Sequence, residues 1–512
     1  MLHRNNGKKI VHICVMYGYK LRFTSCHEYD IIKVVSVYML IRLFLYTFFI
    51  HILQQEDIFM ADVRNMTSGS PGRLISSFAF PLMLGNLFQQ FYTIADAAIV
   101  GQVLGVHAIA AVGAAEWIIW MVLGTIQGLT QGFAIQMSQE FGADRYERLR
   151  NVIVNSCFLS VISALVLLTA GQGLSAWVLD ILHTPAEVLS DTAVYMRTMF
   201  WGIPVVMAYN LFASILRSLG DGKTPLYAMI FAALLNVVLD LLFVPFFQMG
   251  VFGAASATVI AQFFSSLFCI FKIRKIQILK LQRPDFSLSG RLWLRLLSLG
   301  LPMAFQNAVI SVGGMIVQSV INSFGVIFIA GFTATNKLYG MLEVAATSYG
   351  FSMTTYAGQN LGAGKIDRIR QGYRSALIIA LGTSLVIMAV MVLAGKWILL
   401  CFISGDEKTA ADTLTVAYHY LFIMSICLPI LYYLHVTRSC IQGMGNTVLP
   451  MVSGLAEFAM RTMAALLFPV FFGPEGIFYA EIAAWAGADL VLFFSFLYCI
   501  RKMRVPEPRK PS

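Results

Sequence analysis

The chain repeats its own pattern of prolines and glycines at an interval of about 220 positions. The paired stretches are Phe80-Pro81 with Leu301-Pro302, "SQEFGA" (Ser138 to Ala143) with "GQNLGA" (Gly358 to Ala363), and Gly220, Asp221 and Pro225 with Gly445, Asn446 and Pro450. Each repeat contains about six apolar segments long enough to cross a bilayer. An even number of crossings returns the chain to its starting side, so the two halves are related about an axis along the membrane normal. Secondary transporters use this arrangement, and the repeat therefore predicts a membrane transporter.

The composition and the distribution of charge agree with a membrane protein. Hydrophobic residues make up 58% of the 512 residues and charged residues only 12%, which excludes an ordinary soluble domain. The net charge of +10 does not indicate nucleic-acid binding, because Lys and Arg cluster in alternate loops near 145–150, 217–223, 272–291, 365–374 and 501–504. By the positive-inside rule these loops are cytoplasmic, so the number of spans is even.

The apolar segments predict an all-α integral membrane protein with twelve transmembrane helices in two pseudo-symmetric six-helix lobes. The predicted lobes are an N-terminal one at 60–285 and a C-terminal one at 286–505, followed by a cytoplasmic tail at 506–512. The predicted spans lie near 74–98, 111–136, 152–171, 193–217, 226–247, 252–273, 296–320, 327–355, 373–397, 413–439, 450–472 and 477–500.

Residues 1–59 form an atypical extension. A span at Ile31 to Leu53 would leave the basic residues before it outside, against the charge rule that the rest of the chain obeys. Three interpretations are open: an upstream region translated from a misplaced start, an interfacial helix, or a thirteenth span. We favour the first, which predicts that the functional protein starts at Met60.

Polar side chains lie at one depth in the first lobe. Asp96 is near the outer end of the first span, and Asn236 lies one turn before Asp240 on the same face of the fifth. At a rise of 1.5 Å per residue, Asp240 is about 22 Å above the cytoplasmic surface and Thr258, in the sixth span, is about 9 Å below the outer one. We therefore expect Asp96, Asn236, Asp240 and Thr258 to share a site in the outer half of this lobe.

This set indicates ion coupling. Two neighbouring carboxylates in a low dielectric cannot both remain charged cheaply, so one keeps a proton or a cation such as Na⁺ joins them. The alternative is that each aspartate caps or pairs locally near a helix end. We predict no other cofactor and no other metal. Pro81 is a candidate helix hinge, with a static kink as the alternative.

The second half does not repeat these carboxylates. Its first span carries Gln306 and Asn307, which we predict to line a substrate cavity together with Tyr432 of the fourth span. Glu457 and Arg461 are four residues apart on one helix and are expected to form a local pair.

Together these elements resemble the multidrug and toxic compound extrusion (MATE) family over roughly residues 66 to 502. The resemblance rests on the double repeat, on the proline fifteen residues before Asp96, and on "RSLGDGKTP" (Arg217 to Pro225), Asn236 with Asp240, and "GVFGAASATVIAQ" (Gly250 to Gln262). It implies cation-coupled export, with Asp96, Asn236, Asp240 and Thr258 linked to coupling and Pro81 to helix bending. Another branch of the family carries an important span-seven glutamate, where this chain has Gln306 and Asn307.

The expected function is an antiporter that uses H⁺ or Na⁺ to export amphipathic, often cationic, drugs and toxic compounds. A lipid-linked precursor flippase is the alternative, and it would be expected to carry a basic cavity for phosphate. No H-E-x-x-H, G-x-S-x-G or P-loop motif supports an enzyme. We expect a monomer that is multi-pass in the plasma membrane, with both functional termini cytoplasmic. Its expected partners are small organic molecules, the coupling ion and the lipid bilayer, and not nucleic acid.

Overall fold

The computed structural model describes residues 63–181, 184–400, 403 and 407–504. The regular structure of these residues is helical, without a β-strand, as the sequence predicts. The helices are α1 (Pro71–Leu104), α2 (Val106–Gly142), α3 (Tyr146–Ile181), α4 (Ala186–Trp201), α5 (Ile203–Ser218), α6 (Lys223–Leu241), α7 (Gly250–Lys275), α8 (Gly290–Ile321), α9 (Val326–Gly362), α10 (Ile366–Leu400), α11 (Glu407–Gly443), α12 (Val448–Phe472) and α13 (Ala480–Arg504). The predicted extension at 1–59 and tail at 506–512 lie outside the described residues.

Most of these helices have the length and composition of membrane spans. Among the described residues, nine helices are long and apolar enough to cross a bilayer, and the bent pair α4–α5 adds a tenth. Two more, α1 and α9, are as long, at 34 and 37 residues, but carry several polar side chains along their length. The chain is therefore a multi-pass membrane protein.

The predicted fourth span, 193–217, is broken instead of continuous. α4 ends at Trp201 and α5 begins at Ile203, with a bend of 47° between them. Gly202 lies at the break, where a Cβ would overlap the side chain of Val259 on α7. Pro204 at the start of α5 has no N–H to donate, so a new helix can begin there at no cost in hydrogen bonds.

Two large hydrophobic cores divide the described helices. One is formed mainly by α2 to α7 and the other mainly by α8 to α13. Helix α1 contributes to both, because Ile75 and Phe78 near its start pack into the second core whereas Val100 near its end packs into the first. Pro81 lies inside α1, close to the part that packs on the second core.

The two halves touch along a seam between α2 and α8. A Cβ on Gly132 would overlap the backbone of Gly300, and one on Gly128 would overlap the backbone of Ala304. Small residues of this kind allow two helix backbones to approach closely within a membrane.

The sequence repeats meet each other at one end of the bundle. The Gln139 side chain donates to the carbonyl oxygen of Gly443 at 3.3 Å, and the Gln359 side chain donates to that of Ser218 at 2.9 Å. Gln139 and Gln359 occupy equivalent places in the two repeats, as do Ser218 and Gly443. These two hydrogen bonds are therefore a pseudo-two-fold pair that joins the halves.

Two glycines bring the same motifs into backbone contact. A Cβ on Gly142 would overlap the carbonyl of Gln359, and one on Gly362 would overlap the carbonyl of Gln139. We call this end of the bundle the basic end, because it carries Arg145, Arg148, Lys365, Arg368 and Arg370.

The segment before α1 crosses the basic end and contacts both halves. The backbone N–H of Arg64 donates to Leu219 O at 2.9 Å, in the first half. The backbone N–H of Met66 donates to the Gln359 side chain at 2.7 Å, and Met66 O accepts from Asn360 at 3.2 Å, both in the second half. The halves are thus held together at the basic end.

The polar connection between the halves is docked on α3. Arg150 forms an ion pair with Asp285 at 2.8 Å, and the Asn155 side chain donates to Ser287 O at 3.0 Å. The indole N–H of Trp293, at the start of α8, donates to Asn155 at 2.8 Å.

Candidate functional site

The four residues predicted for the ion site come from three helices that pack together in the first half. Asp96 lies on α1, Asn236 and Asp240 on α6, and Thr258 on α7. α6 packs against both α1 and α7. The Asn236 amide donates to the Thr258 hydroxyl at 3.3 Å, and the carboxyl groups of Asp96 and Asp240 lie within hydrogen-bonding reach of each other. The structure therefore brings all four residues together.

The helix that carries two of these residues changes form immediately after them. α6 ends at Leu241 and continues as a π-helical turn, Leu242–Phe246, which contains Pro245. Proline lacks the N–H that would bind the carbonyl four residues earlier, and π-helical turns are frequent at functional sites. Asp240 thus lies one residue before the end of the regular α-helix.

Oxygen atoms at this site lack hydrogen-bond donors. Asp240 is 0% exposed and Asn236 is 1% exposed. Neither carboxyl oxygen of Asp240, nor Oδ1 of Asp96, nor Oδ1 of Asn236 has a hydrogen-bond partner. Buried polar atoms are nearly always satisfied, so these four oxygens need another partner.

The surrounding charges do not supply that partner. No described Lys, Arg or His side chain forms an ion pair with Asp96 or Asp240. Two adjacent carboxyl groups without a basic neighbour would both ionise only at a high energetic cost. A proton shared between them, or a small cation, would satisfy the free oxygens.

The donor set fits a proton or a hard monovalent cation. It offers carboxyl oxygens from Asp96 and Asp240, the amide oxygen of Asn236 and the hydroxyl of Thr258. The described residues contain no cluster of three or more His, Cys, Asp or Glu side chains that could take a metal ion. Neutral and carboxylate oxygens suit hard ions better than transition metals.

Three further residues surround the pair and were not selected from the sequence. Tyr92, one turn before Asp96, is within hydrogen-bonding reach of Gln262 and interacts with both carboxyls. Tyr195 of α4 also interacts electrostatically with Asp96 and Asp240. The sequence could have indicated two of them: Tyr92 lies four residues before Asp96, and Gln262 lies four residues after Thr258, each on the same helix face as that site residue.

A cavity of about 160 Å³ adjoins the site inside the first half. Tyr92, Thr258 and Gln262 line the part next to the carboxyls. The cavity also reaches Arg217 and Pro225, where α5 ends and α6 begins. Most of the remaining lining is amide or apolar, from Leu82, Gly85, Asn86, Gln89, Leu123, Gln127, Met199, Val206, Tyr209, Asn210, Leu226, Met229 and, from the second half, Phe351.

The three residues predicted for a substrate cavity lie elsewhere. Gln306 is 2% exposed and accepts a hydrogen bond from Gln442 at 3.4 Å, and Asn307 donates to Gly124 O at 2.8 Å across the seam. Tyr432 is 0% exposed in the second core, where its hydroxyl donates to Leu342 O at 3.0 Å. None of the three lines the 160 Å³ cavity.

The second half contains a larger charged network than the local pair that the sequence suggested. Arg461 pairs with Glu457 at 3.0 Å on α12, but it also pairs with Glu481 of α13 at 2.7 Å. Arg438 of α11 pairs with the other oxygen of Glu457 at 2.6 Å. The pairs join three consecutive helices, and the spacing rule within one helix does not reveal partners on different helices. Each buried cation here is matched by a carboxylate, unlike the aspartates of the first half.

Fold and site together define a multi-pass helical membrane protein with an internal repeat and a buried carboxyl pair. The MatE family model matches residues 81–242 and again 302–466, so it covers both repeats. The chain belongs to the MatE family of multidrug and toxic compound extrusion transporters.

Curated relatives of similar length carry transporter names. The chain is 30% identical over 416 residues to "Probable multidrug resistance protein YpnP" of Bacillus subtilis, covering 81% of this chain and 92% of YpnP. It is 24% identical over 424 residues to "Probable multidrug resistance protein NorM" of Thermotoga maritima, covering 81% and 88%.

A solved structure supports the same fold. The outward-facing conformation of a multidrug resistance MATE family transporter superposes with a TM-score of 0.80 at 22% identity, covering 87% of this chain and 100% of that one.

Proposed function

We propose that this protein is an antiporter that couples inward movement of H⁺ or Na⁺ to export of amphipathic, often cationic, organic compounds across the plasma membrane. The observation that carries the proposal is the Asp96–Asp240 carboxyl pair, in which Asp240 is buried, Asp96 is half-buried, three oxygens have no hydrogen-bond partner and no basic side chain forms an ion pair. The names of the relatives YpnP and NorM, both called multidrug resistance proteins, support the choice of exported compound.

Electrostatics makes this pair responsive to the coupling ion. Two unit charges about 4 Å apart repel by about 4 kcal/mol at an effective dielectric constant of about 20. Binding a proton or Na⁺ between Asp96 and Asp240 removes that repulsion and draws α1 towards α6. An energy of this size is enough to change the balance between two helix arrangements.

Helix α1 can carry that change to the second half. Asp96 and Pro81 are fifteen residues apart on α1, about 22 Å along the helix axis. Ile75 and Phe78, on the other side of Pro81, pack into the second core. A bend at Pro81 would therefore move the two cores relative to each other when the carboxyl pair gains or loses its ion.

Exchange then requires two conformations that ion and substrate stabilise differently. The present arrangement is closed at the basic end by the hydrogen bonds of Gln139 and Gln359. We propose that the other conformation opens this end, which the positive-inside rule assigns to the cytoplasm together with both functional termini.

The same proposal includes twelve membrane spans. The ten spans counted by length and composition become twelve when α1 and α9 are added. These would form two six-helix lobes, at 60–285 and 286–505, and one matched family segment lies within each of them.

Export measured in cells tests the proposal. Asp96→Asn and Asp240→Asn should each reduce drug export to the level seen without an ion gradient, while the protein still accumulates in the membrane. The matched control is Asp180→Asn, an exposed aspartate at the end of α3, which should export normally. Collapsing the proton and sodium gradients separately identifies the ion. Normal export by both aspartate variants would place coupling elsewhere.

A further inference from the structure

Arg217 is placed in an unusual position by the fold. The sequence puts it at the end of the predicted fourth span, beside a basic cytoplasmic loop, and the structure sets Arg217 in the last turn of α5, where it lines the 160 Å³ cavity. Arg217 therefore borders the space that adjoins the proposed ion site.

The contacts of this guanidinium are all neutral. One N–H donates to the Ser214 hydroxyl at 2.8 Å, and the group lies over the ring of Phe351, 4.8 Å from the ring centroid. No described carboxylate pairs with it. The carboxylate of Asp221, four residues on, instead accepts the backbone N–H groups of Lys223 and Thr224.

Three other partly or fully buried arginines each pair with a carboxylate, which Arg217 does not. Arg150 pairs with Asp285, and Arg438 and Arg461 pair with Glu457. Arginine stays charged at any accessible pH and offers five N–H donors in a planar fork that fits a carboxylate. Arg217 thus has a fork available to a group that enters the cavity.

The two ends of the cavity differ in charge. Cys269 of α7 lies close to Arg217, and Thr258 lies eleven residues earlier on α7, about 16 Å away along the helix. Thr258, with Asn236, belongs to the end of the cavity that adjoins Asp96 and Asp240. The cavity therefore runs from Arg217, which pairs with no described carboxylate, to the residues that surround the Asp96–Asp240 pair.

We propose that Arg217 recognises the carboxylate of zwitterionic amphipathic substrates, whose protonated amine is received at the Asp96–Asp240 end. The inference rests on the proposed function and narrows it to a substrate class. A single guanidinium favours a monoanionic carboxylate over a diphosphate, which would need several basic groups. The substrate amine and the coupling ion would compete for the same carboxyl pair, which is the exchange that an antiporter needs.

A matched pair of fluorescent dyes tests the assignment. One is a zwitterionic xanthene dye with a free carboxylate, and the other is its methyl ester, which carries only positive charge. Export of each from cells gives an acid-to-ester ratio for each variant. In Arg217→Gln we expect this ratio to fall about tenfold or more, because a charge-assisted hydrogen bond is lost only for the acid.

Two variants separate recognition from a structural role. Arg148→Gln removes an exposed arginine at the basic end that does not line the cavity, so its ratio should match that of the wild type. Arg217→Lys keeps the charge without the fork, so its ratio should fall by less than in Arg217→Gln. If Arg217→Gln does not reach the membrane, the Arg217→Lys ratio decides the question.

Three outcomes are distinguishable. Loss of acid export with ester export retained supports the assignment. An unchanged ratio in the Arg217 variants, with both dyes exported by the wild type, overturns the assignment and leaves the proposed function intact. Failure of the wild type to export either dye above a strain without the protein contradicts the inference and the proposed function together.

Discussion

Gly362→Ala should open the basic end of the bundle. A Cβ at this position would overlap the carbonyl of Gln139, so the alanine methyl fits only if the two halves separate there. Overpacking of this kind costs about 1–3 kcal/mol. If the whole cost falls on the closed conformation, the ratio of closed to open protein decreases by about 5- to 150-fold.

The assay is a distance measurement by electron paramagnetic resonance on the purified protein with its native thiols replaced. Spin labels on cysteines at Glu147 and Gln371, both exposed at the basic end, report the separation of the halves. Gly362→Ala should increase the population of long distances, and Gly142→Ala should do the same from the other repeat.

The matched control is Gly113→Ala on α2. A Cβ at Gly113 meets nothing within 4 Å, so its distance distribution should equal that of the wild type. An unchanged distribution in Gly362→Ala, with the protein folded, would refute the argument that these glycines hold the closed conformation.

Three other predictions concern the hinge, the second-half network and the extension. Pro81→Ala restores a backbone N–H inside α1 and should reduce export without reducing the amount of protein in the membrane; normal export would count against a hinge at Pro81. Glu457→Gln leaves Arg438 and Arg461 short of a carboxylate and should lower the unfolding temperature while the ion dependence of export stays as in the wild type; the reverse result would move coupling to the second half. A chain that begins at Met60 should insert and export like the full-length chain at equal expression, and lost export would show that residues 1–59 belong to the working protein.

The grouping of the four residues of the proposed ion site was predictable because it depends on helical periodicity and depth. Asn236 and Asp240 lie one turn apart, and a constant rise per residue brings Asp96 and Thr258 to their level. A carboxylate in an apolar helix is costly enough to stand out in the sequence. The structure places these four residues together as expected.

Other features depend on contacts between helices that no single segment reveals. The break at Gly202 lies inside a continuous apolar run in which Pro204 is the local signal, and the close contact of Gly202 with Val259 of α7 becomes visible only in the folded bundle. Arg217 was read as part of a basic loop because the sequence does not show which way the last turn of α5 faces. The pairing of Arg438 with Glu457 joins two helices, so no spacing rule finds it.

The most direct test of the proposed coupling site is ion counterflow in liposomes that contain only the purified protein. An outward substrate gradient should drive inward movement of H⁺ or Na⁺ in the wild type. Asp96→Asn and Asp240→Asn should each abolish this counterflow, and the double variant should be little worse than either single variant, because the two carboxyls act as a unit. Full counterflow in both single variants, or losses that add independently in the double variant, would contradict a shared ion site at Asp96 and Asp240.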